Sequence, residues 1–174
     1  MGQKVNPIGF RTGVMIGWKR CWYASKKDFA GLLIEDYKLR DYIKNHSKKP
    51  QSRHAGIDRI EIERTRDEVK VVLHVARPGL IIGKKGQELD LLQEELQNLI
   101  GRRVNLKIEE ISRPEIYAQL VAEEVAAQLS KRSSFRRTMK RTLDQTMEAG
   151  AKGIKIQLSG RLGGSEMARR EKQI

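Results

Sequence analysis

Residues 77–89 read RPGLIIGKKGQEL, and this stretch decides the fold. Pro78 suits the first turn of a helix, so the apolar residues 78–82 are predicted to form a short helical turn. The tetrapeptide GKKG follows at residues 83–86, and residues 87–100 then carry leucines at spacings of three and four, which predict an amphipathic helix. Two helical segments are therefore predicted to flank two lysines bracketed by glycines.

The tetrapeptide at residues 83–86, called the GKKG turn below, has the composition of a phosphate contact. Glycine lacks a Cβ, so the backbone can adopt unusual dihedrals and approach a ligand closely. The start of the next helix adds free N–H groups and the positive end of a dipole. Gly83, Lys84, Lys85 and Gly86 are therefore predicted to bind a sugar–phosphate backbone with little base specificity. The alternative is an ordinary turn with solvated lysines; neither a dinucleotide fingerprint nor a phosphate-binding loop of the NTPase kind is present.

The flanking segments predict a small sheet with helices. Residues 28–45 have the mixed apolar spacing of a helix, and apolar residues alternate in 60–63, 69–75 and 104–108, as in half-buried strands. From residue 28 the predicted order is helix, strand, strand, short helix, GKKG turn, helix and strand. This order around a GxxG resembles the KH domain of the second type, whose GxxG clamps about four nucleotides.

The second half of the chain predicts two helices and a strand. SRPE at residues 112–115 has the pattern of a capping box that opens the first helix. Ser133 or Ser134 is expected to cap the second helix, and Gly150 to end it. Residues 154–158 alternate as a strand. The second helix is predicted to pack through residues at every fourth position, namely Phe135, Met139, Leu143 and Met147.

The same second helix carries a concentration of positive charge. Residues 131–141 read KRSSFRRTMKR, with six basic residues and no acid. At about 100° per residue, the four cations within the helix span an arc of about 140°, about 110° from the predicted packing face. We interpret this as a polyanion-binding face rather than a solvated one, because unpartnered like charges repel one another. The predicted RNA contacts are Lys131, Arg132, Arg136, Arg137, Lys140 and Arg141.

The composition also points to a polyanionic partner. The 174 residues include 35 Lys and Arg against 22 Asp and Glu, giving a net charge of +13. Residues 1–27 hold six of the cations and no acid, interleaved with aromatic residues. They are predicted to form a basic arm that lies on a partner, with Lys4 and Arg11 contacting RNA; the alternative is a loose tail. No apolar run reaches the length of a membrane span, and the single cysteine excludes an internal disulfide.

Neither a metal site nor a catalytic site is predicted. His46, His54, His74 and Cys21 lack the spacing of metal ligands, and no nucleophile, base and orienting group can be recognised. His74 lies on the strand face opposite its valines and is expected to be polar surface or an RNA contact. The sequence therefore predicts a protein without cofactor, metal or small-molecule substrate.

Four motifs together resemble one family, the KH-containing third protein of the bacterial small ribosomal subunit. They are MGQKVNP (1–7), ARPGLIIGKKG (76–86), SSFRRTMKR (133–141) and GAKGIKIQLSGRLGGSEMAR (150–169). The resemblance implies an α+β fold with three parts: a basic arm (1–27), a type II KH domain (28–109) with a three-stranded sheet and helices on one face, and an α/β domain (110–174). Family members usually continue with more strands, so this last domain is expected to be incomplete.

The same resemblance implies a function in translation. A structural protein of the cytoplasmic small subunit would bind 16S rRNA, line the channel by which mRNA enters, and contact neighbouring proteins of the subunit head, with no membrane partner. Arg136, Arg137 and Lys140 match family residues implicated in passive unwinding of incoming mRNA, and Arg161 joins the RNA-binding set. Two alternatives stay open: a free KH-domain regulator or RNA chaperone, and a nucleic-acid enzyme that uses a lysine amine.

Overall fold

The computed structural model describes residues 2–46, 55–83 and 86–174, without the side chains of residues 45 and 46. The chain divides into two compact units, the first ending at Glu110 and the second spanning Ile111–Ile174. Both units combine helices with strands, which confirms the predicted α+β class.

The first unit is built around a four-stranded sheet with the strand order β1-β2-β3-β4. Its strands are β1 (Arg20–Cys21), β2 (Ile57–Arg64), β3 (Glu68–Val75) and β4 (Arg103–Glu110). Its helices are α1 (Pro7–Arg11), α2 (Phe29–Asp41, continued by a π-helical turn), α3 (Gly79–Ile82) and α4 (Gln87–Ile100). The β2–β3 pair is antiparallel, whereas β1–β2 and β3–β4 are parallel. Three strands were predicted, and the fourth is the short β1.

One face of this sheet is the core of the first unit. In β3, Val69, Val71, Leu73 and Val75 are at most 1% exposed, because alternate side chains of a strand point to the same face. Helix α2 contributes Leu39 to this apolar cluster, and α4 contributes its leucines. Both helices therefore cover the same face of the sheet, as the KH resemblance implied.

The opposite face of the sheet carries charged side chains in pairs. The side chain of His74 is 13% exposed and lies between two carboxylates, with Nε2 3.4 Å from Glu61 Oε1 and Nδ1 3.5 Å from Glu109 Oε2. Lys70 and Lys107 also contact acids on this face. Of the two roles expected for His74, the structure favours polar surface, since the flanking carboxylates would repel a phosphate.

The basic arm is largely structured. The Asn6 side chain caps α1 by accepting hydrogen bonds from the Ile8 and Gly9 amides at 2.9 and 3.2 Å. Strand β1 then pairs with β2, and the Trp22 indole donates a hydrogen bond to Asp36 of α2 at 2.9 Å. Residues 20–22 are therefore part of the fold of the first unit, and the picture of a wholly free tail is wrong.

The second unit contains two helices and a two-stranded antiparallel sheet. Its elements are α5 (Ala118–Ser130), α6 (Phe135–Glu148), β5 (Ile156–Gly160) and β6 (Arg169–Gln173). The predicted capping box does not form: Pro114–Ile116 make a single 3₁₀ turn, neither this turn nor α5 has a side-chain cap, and Tyr117 is extended at φ −85°. This extended residue interrupts the helical hydrogen bonding, so α5 begins only at Ala118. Gly150, at φ 95°, follows the end of α6 as predicted.

The packing face of α6 shares Met139 with the predicted face but is rotated from it by about 65°. Its buried residues are Thr138, Met139, Thr142 and Thr146, whereas Met147 is 44% exposed. Threonine can be buried here because its hydroxyl donates to the carbonyl four residues earlier, at 2.9 Å for both Thr142 and Thr146. At about 100° per residue, the buried face lies about 175° from the mean direction of the four helix cations. The cations thus lie on the side of α6 opposite its packing contacts.

Candidate nucleic-acid interface

The GKKG turn connects α3 to α4 through two glycines with left-handed dihedrals. Gly83 ends α3 at φ 68°, ψ −164°, and Gly86 precedes α4 at φ 81°, ψ −5°. A Cβ on Gly83 would lie 2.6 Å from Glu88 Cδ, so the position also requires glycine for space. Lys84 and Lys85 lie outside the described residues. Both described ends of the turn therefore favour glycine.

The beginning of α4 is electrostatically mixed. Its first turn contains Glu88 and Asp90, which stabilise the positive end of the helix dipole. These carboxylates reduce the attraction that the helix end alone would exert on a phosphate. Any anion bound at the GKKG turn must therefore rely on the two lysines and on close approach to the glycine backbone.

Helix α6 presents the densest group of predicted contacts. Arg136, Arg137, Lys140 and Arg141 are all exposed. Arg136 Nη2 lies 3.5 Å from Glu171 Oε1, although its side chain remains 72% exposed. The other three form no ion pair with any residue that the structure describes. These three cations are thus outside ion-pair distance of the described carboxylates, although Asp144 and Glu148 line the same groove and offset part of their charge.

The first turn of α6 is anchored by an aromatic ring. The Phe135 ring centroid lies 5.7 Å from the Arg136 guanidinium carbon and 5.6 Å from that of Arg169 on β6. Arg169 Nε is also 3.4 Å from Glu171, which contacts Arg136. These contacts tie α6 to β6 and fix the direction in which the basic face points.

The turn before α6 exposes two more predicted contacts. Lys131 and Arg132 follow the end of α5, and both side chains are exposed. Arg132 adopts φ 60°, and its amide bonds to the Leu129 carbonyl at 2.9 Å. A left-handed residue other than glycine costs about 1 kcal/mol, so the arginine occupies a place where glycine would be less strained. With α6, these residues make one continuous basic segment from 131 to 141.

The remaining predicted contacts lie apart from this segment in the chain. Lys4 and Arg11 are exposed on the arm, before and at the end of α1. Arg161 donates from Nε to the Ser165 carbonyl at 2.9 Å, so it also holds its own loop together. Among the described residues, the predicted contacts are therefore most concentrated in the basic segment 131–141, which consists of α6 and the turn before it.

Sequence reasoning missed a buried ion cluster in the first unit. Asp36 is fully buried and accepts hydrogen bonds from Trp22 Nε1 at 2.9 Å and from Arg64 Nε at 2.8 Å. Arg64, whose side chain is 4% exposed, also bonds to Glu35 at 2.8 Å. A signal was available: Asp36 falls four residues after Leu32 and three before Leu39, on the apolar face of α2.

A second arginine of the first unit is also used for structure. Arg40 donates to the carbonyls of Lys19, at 3.1 Å, and Ile60, and so joins the arm to β2. Burial, together with the charge of Arg20, lowers the pKa of Arg40 below its ordinary value. Its guanidinium is occupied by backbone oxygens, so we assign it to the fold and not to RNA.

Neither a metal site nor a membrane-spanning helix is found among the described residues. In the described part of the chain, no three His, Cys, Asp or Glu side chains are grouped as metal ligands; His54 lies outside that part. No helix of the described ranges has the length and apolar character needed to cross a bilayer.

Comparison with known proteins supports the interpretation of both units. Residues 38–116 match the KH domain family, and residues 125–174 match the family described as ribosomal protein S3, C-terminal domain. The small ribosomal subunit protein uS3 of Rhodopirellula baltica is 74% identical over 173 residues, covering 99% of this chain and 73% of the relative. The uS3 proteins of Desulforudis audaxviator and Pelagibacter ubique are 52% and 49% identical, each over 98% of this chain and over 76% and 74% of their own lengths. The chain therefore belongs to the uS3 family, the non-enzymatic structural proteins of the small ribosomal subunit.

Proposed function

We propose that this chain binds small-subunit rRNA and lines the channel by which mRNA enters, where α6 contacts the incoming message. The observation that carries the proposal is the basic face of α6. Its cations Arg137, Lys140 and Arg141 have no ion-pair partner among the described residues and lie opposite the buried face. A helix face held in this way binds a phosphodiester strand by charge, without reading its sequence.

The proposed contribution to unwinding is passive. Cations that bind the phosphates of separated strands release counterions, and this lowers the free energy of the single strands relative to the hairpin. Translocation of the message supplies the work, and the side chains only hold what has been opened. The chemistry needs no nucleotide, metal or covalent intermediate.

The GKKG turn is proposed to hold an RNA backbone in the first unit. Gly83 and Gly86 permit close approach, and Lys84 and Lys85 supply charge. We propose the domain organisation that the family resemblance implied: a basic arm (1–27), a KH domain (28–109) and a C-terminal domain (110–174). The arm cations Lys4 and Arg11, and Arg161 in the second unit, add contacts to rRNA and to neighbouring proteins of the subunit head.

Helix α6 is tested by the triple variant Arg136→Ala, Arg137→Ala and Lys140→Ala in reconstituted ribosomes. We expect slower translation through a stable mRNA hairpin, with subunit assembly much less affected. A matched control, Arg113→Ala, Lys152→Ala and Lys155→Ala, removes three exposed charges of the same unit outside α6. Normal translation of the hairpin by the first variant would refute the role of α6.

The GKKG turn is tested by Lys84→Asp with Lys85→Asp. Single-stranded RNA binding is expected to weaken while the fold is retained, because the two substitutions leave Gly83 and Gly86 in place. Lys38→Asp with Lys107→Asp changes the net charge equally at exposed positions of the same unit. Equal affinity of the two variants would show that the turn has no special role.

The alternative of a free KH regulator or RNA chaperone rests on the compact first unit, which has its own core. It makes a different prediction about where the protein is found. A ribosomal constituent copurifies with small subunits after a high-salt wash, whereas a free regulator is washed away.

A further inference from the structure

The first unit contains a cleft that neither the GKKG turn nor α6 uses. Its volume is about 920 Å³, and its walls come from the end of the arm, the start of α2, the β2–β3 hairpin and the turn after α4. Arm residues 22–25 and Lys27 form one side, while Arg66 and Arg102 come from the hairpin and the turn. The cleft therefore gathers residues that are far apart in the sequence.

Only some of the charged side chains that line the cleft form ion pairs. Four cations and two acids line it, and one cation, Arg64, is bound to Glu35 and Asp36. Lys27, Arg66 and Arg102 are exposed and form no ion pair within the described residues. Three mobile cations thus face a concave space, where their fields add.

The walls of the cleft are held by the buried ion cluster. Asp36 joins α2 to Trp22 of the arm at 2.9 Å and to Arg64 of β2 at 2.8 Å, and the Trp22 ring lies 5.4 Å from that of Phe29. These bonds connect three of the four walls through a carboxylate that is fully buried. A cleft with fixed walls loses little conformational entropy when a ligand binds.

An aromatic ring at the cleft suggests which polyanion fits. The Tyr23 side chain is 97% exposed, although it lines the cleft beside the cations. A flat ring next to Lys and Arg suits a nucleotide, because the base stacks on the ring while the phosphate meets the charge. An acidic peptide would use the cations and leave the ring without a stacking partner.

The cleft is also separate from the GKKG turn. Arg102 follows the C-terminal end of α4, whereas the GKKG turn precedes its N-terminal end. Fourteen helical residues separate the two places, which corresponds to about 20 Å along the helix axis.

From these observations we propose that the cleft lined by Tyr23, Lys27, Arg66 and Arg102 is a second RNA site of the first unit, which binds a phosphate and stacks one unpaired base. This inference rests on the proposed function, RNA binding by the chain, and adds a second site at which RNA binds. It assigns Arg66 and Arg102, which no local motif singled out.

The test uses the full chain and a short single-stranded oligouridylate as probe. The variant Lys27→Gln, Arg66→Gln and Arg102→Gln is compared with Arg59→Gln, Lys70→Gln and Lys107→Gln, which removes the same charge from exposed pairs on the sheet. At about 0.7 per phosphate contact, loss of the cleft cations should reduce the slope of log affinity against log salt by about 0.7, the value for the one phosphate that the cleft binds. The control variant should keep most of the slope.

Tyr23→Ala and Tyr23→Phe test the stacking separately. Stacking of a base contributes at least about a fivefold gain in affinity, so the alanine variant should lose that factor while the phenylalanine variant retains it. Thermal melts of all variants check the fold, which exposed substitutions should leave unchanged.

The other possible results separate failure of the cleft assignment from failure of the proposed function. Equal losses in the two triple variants, or competition by polyglutamate as strong as that by RNA, would overturn the cleft assignment. If the wild-type chain binds the probe and the cleft variant binds it equally well, the cleft fails and the proposed function stands. If the wild-type chain binds neither the probe nor small-subunit rRNA at low ionic strength, the proposed function fails with it.

Discussion

The two units of this chain differ in how many of their described cations form ion pairs. In the first unit, Arg64 is buried against Asp36 and Glu35, Arg40 binds two carbonyls, and several surface cations pair with acids across the sheet. In the second unit, the described ion pairs involve only Arg136 and Arg169, which share Glu171. Most of the described ion pairs therefore lie in the first unit and stabilise its fold, whereas three of the four α6 cations in the second unit form no described ion pair.

The two units also differ in the number of apolar side chains that they bury. The first unit buries an extensive cluster of aliphatic residues from the sheet and two helices. The buried apolar side chains of the second unit are Ile111, Leu120, Val125 and Met139, accompanied by three threonines of α6. With fewer buried apolar side chains, the second unit is expected to have the lower intrinsic stability.

The largest expected effect comes from breaking the ion cluster of the first unit. Asp36→Ala leaves Arg64 buried without its main partner, and this should cost about 3–5 kcal/mol of folding free energy. Denaturant unfolding of the full chain measures the loss, with Glu35→Ala as control because its carboxylate is half-buried and should cost about 1 kcal/mol or less. Equal costs for both variants would mean that Asp36 is not the centre of the cluster.

The next effect should be larger in the second unit, because it buries fewer apolar side chains than the first unit, which also has proposed RNA sites. RNA at about a hundredfold excess over its dissociation constant should stabilise the binding unit by about 2.7 kcal/mol. Hydrogen exchange resolved by residue measures this, and we expect slower exchange in α6 with a smaller change in β3. Equal protection of both elements would contradict the contrast between the units.

A smaller effect should separate stability from binding at one residue. Arg132→Gly removes a side chain from a left-handed position, so the second unit should gain about 1 kcal/mol of stability. The same change removes an exposed cation, and RNA affinity should therefore fall. Lys131→Ala is the control, because its backbone is not left-handed and only its affinity effect should appear. A loss of stability in Arg132→Gly would refute this reasoning.

The smallest effect concerns alkaline pH and the first unit. Burial raises the pKa of Tyr42 above its ordinary value of 10.0, and its hydrogen bond to Glu95 at 2.8 Å raises it further. Because the raised pKa favours the neutral phenol in the folded state, this stabilisation is complete below pH 10 and is lost as the pH rises through the folded pKa. Tyr42→Phe should show a shallower loss of stability above pH 10, measured by unfolding at several pH values.

Much of the first unit could be predicted because its patterns are local. The bounds of α4 match the predicted 87–100, since leucine periodicity coincides with Gly86 and Gly101 at its ends. The two residues of β1 carry no periodicity, and they are placed by the edge of β2 and by the Trp22–Asp36 bond. Elements defined by distant partners are the ones that periodicity misses.

The second unit shows a different limit of sequence reasoning. Thr138, Thr142 and Thr146 count as polar in a pattern, yet all three are buried. The hydroxyls of Thr142 and Thr146 donate to carbonyls within α6, and that of Thr138 bonds to Ser133 just before the helix. Burial of these threonines rotates the packing face of α6 away from the predicted one and places the cations on the opposite side of the helix. Short motifs pointed to the GKKG turn and the basic helix, whereas the cleft residues Arg66 and Arg102 belong to no motif and meet only in three dimensions.

The central claim is that the unpaired cations of α6 hold an RNA strand, and the salt dependence of binding tests it most directly. The affinity of the full chain for small-subunit rRNA is measured over a range of salt concentrations, for wild type and for Arg137→Ala, Lys140→Ala, Arg141→Ala. At about 0.7–0.9 per phosphate contact, we predict that the slope of log affinity against log salt falls by about 2 in the variant. An unchanged slope would contradict the account.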